Sequence, residues 1–406
     1  MESMTEAGFE TASPLRLETR KQLGSIALDG LTRAVPAEHH PLTNIEQNLK
    51  HSIIGQDDAI DSIMSALNRE KFRNPNRPYA NLLFLGPTGV GKSETVKELA
   101  AQLHGNKSAF LKIDCSLFRN GHEVSALLGS PPGFVGREQE PIFDPRLIEQ
   151  EKSVILFDEI EKGSQPLWDL MLQIMDDGEV PLLGSASKVS FKNSIIVMTS
   201  NLGSHEMMGL LEPQKLGFRT SQTDDAPATK QEIDTVVNKA LRDRFSPEFI
   251  NRFDRKIVFK PLDDNEMGQV LDRYVEKANG RYKELGVNLS LSPTLRDEMI
   301  TGNSQRKQFG VRSILRDYDH IVESELATYI NTGSIPVGSD VIAVAASELQ
   351  DNDETYVNNV NFYYKTNPEL TEHLQERERL ADAVRTSMQG QVDSQPPSKA
   401  LVLIDE

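Results

Sequence analysis

The stretch from Asn81 to Leu99, NLLFLGPTGVGKSETVKEL, limits the chain to one kind of core. Leu82 to Leu85 is an apolar run of the kind a buried parallel strand shows, and it feeds directly into a glycine-rich turn and then a helix. Gly86, Gly89, Gly91, Lys92 and Ser93 satisfy the spacing G-x-x-x-x-G-K-[ST], with Pro87, Thr88 and Val90 at the variable positions. A polyphosphate has to be wrapped by backbone N–H groups, which needs residues without Cβ. The helix beginning near Lys92 then points its positive end at the anion. Lys92 is expected to reach the β- and γ-phosphates and Ser93 to ligate Mg²⁺. Strand, turn and helix in this order predict an α/β fold with a parallel sheet and a bound nucleotide.

A second half for that site follows in SVILFDEIEKG. Val154 to Phe157 form an apolar strand, and Asp158 and Glu159 stand at its carboxyl end, where open parallel sheets place their ligands. A carboxylate beside Ser93 can hold Mg²⁺, and a second one residue later can polarise an attacking water. A further apolar strand, Ile195 to Met198, ends in Thr199-Ser200-Asn201, so Asn201 is a candidate for positioning that water. AFLKIDCS, Ala109 to Ser116, reads as another strand. Upstream, the apolar spacing from Leu42 to Glu70 suggests two helices broken at Gly55, and Ile53 and Ile54 at the break are assigned to the nucleotide as well. The helix PLWDLMLQIMDDG turns Leu167, Leu170, Met171, Ile174 and Met175 to one face, which reads as core, with Trp168 half-buried.

Composition narrows the partners. At 406 residues and 38% hydrophobic there is room for two or three domains with ordinary cores. A net charge of −17 argues against broad affinity for nucleic acid. A single cysteine, Cys115, excludes an intramolecular disulfide framework and fits a reducing compartment. The sequence has no apolar run long enough to span a bilayer, and its N-terminus lacks the apolar core of a secretory signal. The expectation is a cytoplasmic protein without nucleic-acid or membrane partners.

Two loops stand out. In SPPGFVGRE, Phe134 sits between Gly133 and Val135-Gly136 in a loop that prolines keep open; it reads either as a contact surface or as an aromatic packed on its own domain. Between Leu202 and Asp234 the chain reads as a long exposed loop containing the apolar tripeptide Leu216-Gly217-Phe218. RFSPEFINRFDRKIVF then presents Arg252 just before a last strand. Beyond Pro261, amphipathic helices at roughly 264–285, 293–301 and 309–331 and a short strand near Ser339 to Val344 suggest a smaller, mainly helical domain. From about 347 onward, NVNFYYK and a charged helix candidate from Pro368 to Met388 carry no functional reading.

GPTGVGKS, PPGFVG, VILFDEIEKG, MTSNLGS, FSPEFINRFD and FGVRSILR, in that order, resemble the AAA+ module of the Clp/heat-shock chaperone family, in particular its second, C-terminal type of ATPase module. The resemblance covers about residues 42 to 345. It implies an N-terminal extension over 1–41, a large ATPase domain over 42–260, a small α-helical domain over 261–346 and a C-terminal extension over 347–406. It also implies roles: Lys92 and Ser93 on phosphate and Mg²⁺, Asp158 on Mg²⁺, Glu159 activating water, and Asn201 as first sensor. Arg252 matches the arginine finger that reaches a neighbouring subunit's nucleotide, and Arg312 the second sensor. Phe134 matches the pore-loop aromatic that grips polypeptide, where Tyr is usual. Other departures are Ser93 for Thr, Val311 for Ala and Gly163-Ser164 for Ala-His, and the Gly178 to Ser190 region departs further.

The implied function is an ATP-driven protein unfoldase or remodelling chaperone that threads polypeptide through a hexameric pore. Leu216-Gly217-Phe218 resembles the loop by which protease-partnered members dock on a ClpP-type peptidase; packing of Phe218 on the large domain is an equal reading. The alternatives are a dedicated remodeller or switch acting on one partner, and a DNA-acting AAA+ motor, which the acidic charge and the GFVG loop oppose.

Overall fold

The structure, a computed structural model, describes residues 43–129, 141–183, 187–211, 229–302, 310–348 and 360–367. Its first core is a five-stranded sheet of β1 (Ala80–Leu85), β2 (Phe110–Asp114), β3 (Val154–Asp158), β6 (Ile195–Ser200) and β7 (Arg255–Val258). The spatial order is β2-β3-β6-β1-β7, and every neighbouring pair is parallel. All residues of β1 and β6 are buried. Strands flanked on both sides and covered on both faces need no polar alternation, which is why NLLFL and IIVM read as unbroken apolar runs. At the sheet's edge β2 is partly exposed instead. Because the strands are parallel, the carboxyl ends of β1, β3 and β6 emerge at one rim, and the first residues after them are Gly86, Glu159 and Asn201.

The helix α4 (Gln165–Asp177) buries Leu167, Leu170, Met171, Ile174 and Met175, as its spacing predicts. Trp168 differs from expectation: it is 8% exposed, not half-buried. Its indole N–H donates to the Ile160 carbonyl at 3.0 Å, and the ring lies against Phe245 and under the Arg244 guanidinium. Once the N–H has a partner, nothing holds the ring at the surface. A second difference lies in the stretch read as a long loop, where Ser204–Leu211 is a helix, α5, whose Met207 is fully buried in the first core. An antiparallel pair, β4 (Glu179–Pro181) and β5 (Lys188–Ser190), accounts for the hairpin-like segment after α4.

A separate core gathers α7 (Asp264–Tyr282), α8 (Pro293–Thr301), α9 (Val311–Asp317) and α10 (Ser324–Asn331). The helix expected over 309–331 runs as α9, a π-helical segment Tyr318–Glu323, and α10. These helices share their core with a three-stranded sheet of β8 (Val287–Leu291), β9 (Ser339–Ala345) and β10 (Val360–Thr366), ordered β10-β9-β8. β9 pairs parallel with β8 and antiparallel with β10. Residues 360–365 of the NVNFYYK stretch thus join this sheet, the Phe362 ring lying tilted against Tyr329 with centroids 5.4 Å apart. Among the described residues no helix is long and apolar enough to cross a membrane.

Candidate functional site

The phosphate loop starts at Gly86, where φ is +139° and an added Cβ would press into the Phe259 carbonyl. Only glycine fits there. Lys92 opens the helix α3 (Lys92–His104) and is 8% exposed. Its Nζ donates to the Pro87 carbonyl at 2.7 Å, to the Gly86 carbonyl, and to Asn201 Oδ1 at 2.8 Å. Burial pulls the Lys92 pKa down to about 8. The charges of Glu161, Asp158 and Glu159 work against that fall, and Arg312 adds to it.

The two acids at the end of β3 are held by one hydroxyl. Thr199 donates to Asp158 Oδ1 at 2.6 Å, and the Glu159 N–H donates to Thr199 Oγ1 at 3.0 Å. The other oxygen of Asp158 pairs with Lys112 Nζ at 2.8 Å. Glu159 Oε2 pairs with Lys162 Nζ at 2.7 Å. Glu159 has φ +56°, one of two non-glycine residues in that region among those described. Such backbone persists where its surroundings over-determine it. Here the bond to Thr199 does so from one side, and a 3₁₀ turn, Ile160–Lys162, follows at once. Asn201 is tied down in turn, its N–H donating to Glu161 Oε1 at 3.1 Å.

These groups share one cleft of about 1190 Å³. Its walls include Pro87, Thr88, Gly89, Val90, Gly91, Lys92 and Ser93, the Ile53-Ile54 turn, Asp158, Glu159 and Asn201. The facing wall comes from the second core: Arg273 and Tyr274 on α7, and Arg312 and Arg316 on α9. Gly310, just before α9, has φ +57°, and a Cβ there would lie 2.8 Å from the Thr88 carbonyl. The helix carrying Arg312 therefore begins in contact with the phosphate loop. Arg273 donates to the His51 carbonyl, linking α7 to the segment that leads into Ile53. Tyr274 donates to Asp319 Oδ1 at 2.9 Å.

Arg252 does not line this cleft. Its Nε bonds Asp176 Oδ2 at 2.7 Å and its Nη2 lies 3.5 Å from Glu248 Oε1. Gly133, Phe134, Val135 and Gly136, and likewise Leu216, Gly217 and Phe218, lie outside the described residues. Spacing and motif assign no role in the site to Lys112, Thr199, Glu161, Arg273 or Gly310, although all but Arg273 lie within stretches already quoted. Thr199 was within reach, two residues before Asn201 on the same strand end. Lys112 and Arg273 carry no local signal, because what makes them part of the site is a contact across strands or domains.

Chemically the cleft offers backbone N–H groups and a buried ammonium for phosphate, and hard oxygen donors on Ser93 and Asp158. Among the described residues no group of three or more His, Cys, Asp or Glu could hold a metal alone. Mg²⁺ keeps waters and phosphate oxygens and takes only one or two protein ligands, a donor set that the Ser93 hydroxyl and the Asp158 carboxylate fit. A proton linkage follows from Lys92. Phosphate favours the ammonium form, so binding raises a pKa that starts near 8 and takes up a proton at higher pH. Nucleotide affinity is expected to be flat below about pH 8 and to fall by up to about tenfold per unit above it. Calorimetry at pH 9 in two buffers of different ionisation heat should show uptake approaching one proton, and Lys92→Arg, charged throughout, should abolish it.

The parallel sheet, the glycine loop at its rim and the acids beside it define a phosphate-loop nucleotide-binding protein of the α/β class. Residues 77–256 match the family described as AAA domain (Cdc48 subfamily), and residues 262–343 the C-terminal, D2-small domain, of ClpB protein. Together the two matches span more than half of the chain, and it belongs to the Clp-type AAA+ ATPases. It is 35% identical over 303 residues to chaperone protein ClpD1, chloroplastic, of Oryza sativa subsp. japonica, covering 74% of this chain and 32% of that protein. It is 34% identical over 313 residues to chaperone protein ClpB of Clostridium tetani, covering 77% and 34%. The ATP-dependent Clp protease ATP-binding subunit ClpC of Staphylococcus saprophyticus is also 34% identical over 313 residues, covering 77% and 37%. The chain thus spans about a third of the length of these relatives.

Proposed function

We propose that the chain is an ATP-driven protein unfoldase or remodelling chaperone whose working form is a hexameric ring threading polypeptide through its pore. The observation that carries this reading is the cleft, where Lys92, Ser93, Asp158, Glu159 and Asn201 meet Arg312 of the second core across one space. Lys92 and the loop N–H groups bind and orient the phosphates, Ser93 and Asp158 hold Mg²⁺, and Ile53 and Ile54 flank the base. Bound Mg²⁺ would neutralise phosphate charge. Glu159 takes the proton of the attacking water, and Asn201 orients that water. Because Arg312 sits on a helix that starts against the phosphate loop, any shift of that loop bears on the smaller domain of 261–346 as a lever on the larger one of 42–260.

The ring reading draws on Arg252, which lies outside its own chain's cleft, a third exposed and paired with Asp176 and Glu248, and which would leave those partners to serve a neighbour's cleft. Protein substrates, Phe134 as their grip, and the cytoplasm as the compartment belong to the same proposal. The buried thiol of Cys115, pushed well up by burial, is consistent with a protein that lives reduced. The test compares ATPase rate with and without an unfolded model protein in the wild type and in Phe134→Ala. Stimulation in the wild type alone is the expected result. Absence of stimulation in both would overturn threading and favour a remodeller or switch dedicated to one partner. Deleting Leu216 to Phe218 should abolish degradation with a ClpP-type peptidase and leave unfolding intact, if that loop docks one.

A further inference from the structure

Asp158 is the acid to which the reading above gives the metal, and both of its oxygens already have partners. Thr199 fills Oδ1 with a hydroxyl bond of 2.6 Å, and Lys112 fills Oδ2 with an ammonium at 2.8 Å. The two partners differ in kind. Thr199 is buried on the central strand β6, 1% exposed, and its Oγ1 also accepts the Glu159 N–H, so it is held from two sides. Lys112 comes from the edge strand β2, and its side chain is 52% exposed against 19% for Asp158. In register, Lys112 pairs with Leu156 while Asp114 pairs with Asp158. The ammonium therefore reaches along the sheet by two residues, roughly 7 Å of strand, to find this carboxylate. Asp114, the nearer acid, is engaged by the Ser116 N–H at 2.9 Å.

We propose that Lys112 is the displaceable counter-cation of the metal site: it pairs with Asp158 in the nucleotide-free protein and swings into solvent when Mg²⁺ arrives with the phosphates. This rests on the reading of the cleft as a magnesium–nucleotide site. A monovalent cation on a flexible, half-solvated stem can neutralise a carboxylate and still leave at small cost. Thr199 keeps Asp158 aimed while the exchange takes place. Lys112 also lines the cleft, so its charge opposes entry of a free dication and favours one already neutralised by phosphate. It is a positioning residue acting through Asp158. Lys162 differs in that it pairs with the neighbouring acid, Glu159, within one turn of chain.

The test uses the full chain and a fluorescent ADP analogue, with Mg²⁺ titrated from an EDTA baseline and Mn²⁺ binding followed independently by electron paramagnetic resonance. In Lys112→Met the half-saturating concentrations of both metals are expected to fall about fivefold, the upper end of what loss of a solvent-exposed ion pair allows. Lys112→Arg, which keeps the charge, should stay near the wild type. An unchanged or raised metal requirement in Lys112→Met, with normal nucleotide binding by the wild type, overturns the proposal alone. A large loss of metal-free ADP affinity in Lys112→Met at constant metal requirement also overturns it, by making Lys112 a phosphate ligand. If the wild type binds no nucleotide, the reading of the cleft falls and this inference with it.

Discussion

Replacing Glu159 by Gln is expected to lower ATP hydrolysis by about 10²- to 10⁴-fold while leaving nucleotide affinity within a few-fold of the wild type. Gln has the shape of Glu but cannot take a proton, so only the step that deprotonates water is lost. The surroundings of Glu159 favour a clean result. Its backbone is held by the N–H bond to Thr199, which the substitution does not touch. Its side chain gives up the ion pair with Lys162, whose partners are 43% and 31% exposed, and such pairs contribute about 0 to 1 kcal/mol. The melting temperature should therefore move by no more than a few degrees. Single-turnover hydrolysis, binding of a fluorescent nucleotide and a thermal melt separate these outcomes. A variant that still hydrolyses at the wild-type rate would remove Glu159 from the chemistry, and one that no longer binds would make it a structural residue.

Arg252→Ala should abolish turnover by a different route, with a loss of about 10³-fold or more if it acts as an arginine finger on a neighbour's nucleotide. Within its own chain Arg252 is engaged with Asp176 and Glu248, outside the cleft, and a third of its side chain is exposed. Its substitution should leave nucleotide binding by the same chain unchanged. The decisive measurement mixes two inactive proteins. Arg252→Ala chains have an intact cleft but offer no finger, whereas Glu159→Gln chains offer a finger but have a dead cleft. In a ring of head-to-tail contacts mixed one to one, about a quarter of the interfaces then become competent. Activity should return on mixing. If the mixture stays inactive although rings form, Arg252 is confined to its contact with Asp176 and the finger has to be sought elsewhere.

What could be read without coordinates was whatever is contiguous in the chain. The phosphate loop lies within eight residues, from Gly86 to Ser93, and its flanking strand and helix are adjacent, so local spacing carries the whole unit. Asp158, Glu159 and Asn201 were legible for a related reason: each ends an apolar strand, and parallel strands that share a sheet bring their carboxyl ends to one rim. Family resemblance, resting on six short motifs in order, supplied Arg312. The broad pattern of the second core was readable too, since α7 runs for 19 residues and turns Met267, Leu271, Val275 and Ala278 to one buried face. β8 was not singled out, because a strand of five residues with a partly polar face looks like a loop until a partner strand is known.

The rest depended on tertiary contacts. Trp168 is buried because a carbonyl eight residues earlier accepts its N–H, and Ser204–Leu211 is helical because Met207 has a core to enter. Likewise Thr199 can serve both acids only because β6 lies beside β3, and Lys112 meets Asp158 only because β2 lies on the other side of β3. Gly310 and Arg273 join the site from a second core, remote in the chain from the phosphate loop they face. By itself the sequence determined the chemistry of the phosphate loop and the class of the fold, since those follow from residue type and short spacing. The structure alone decided which charges face Asp158, that the helix carrying Arg312 starts beside the phosphate loop, and that Arg252 lies outside its own chain's cleft. Each of these is a distance between segments remote in sequence, and such distances are settled by packing.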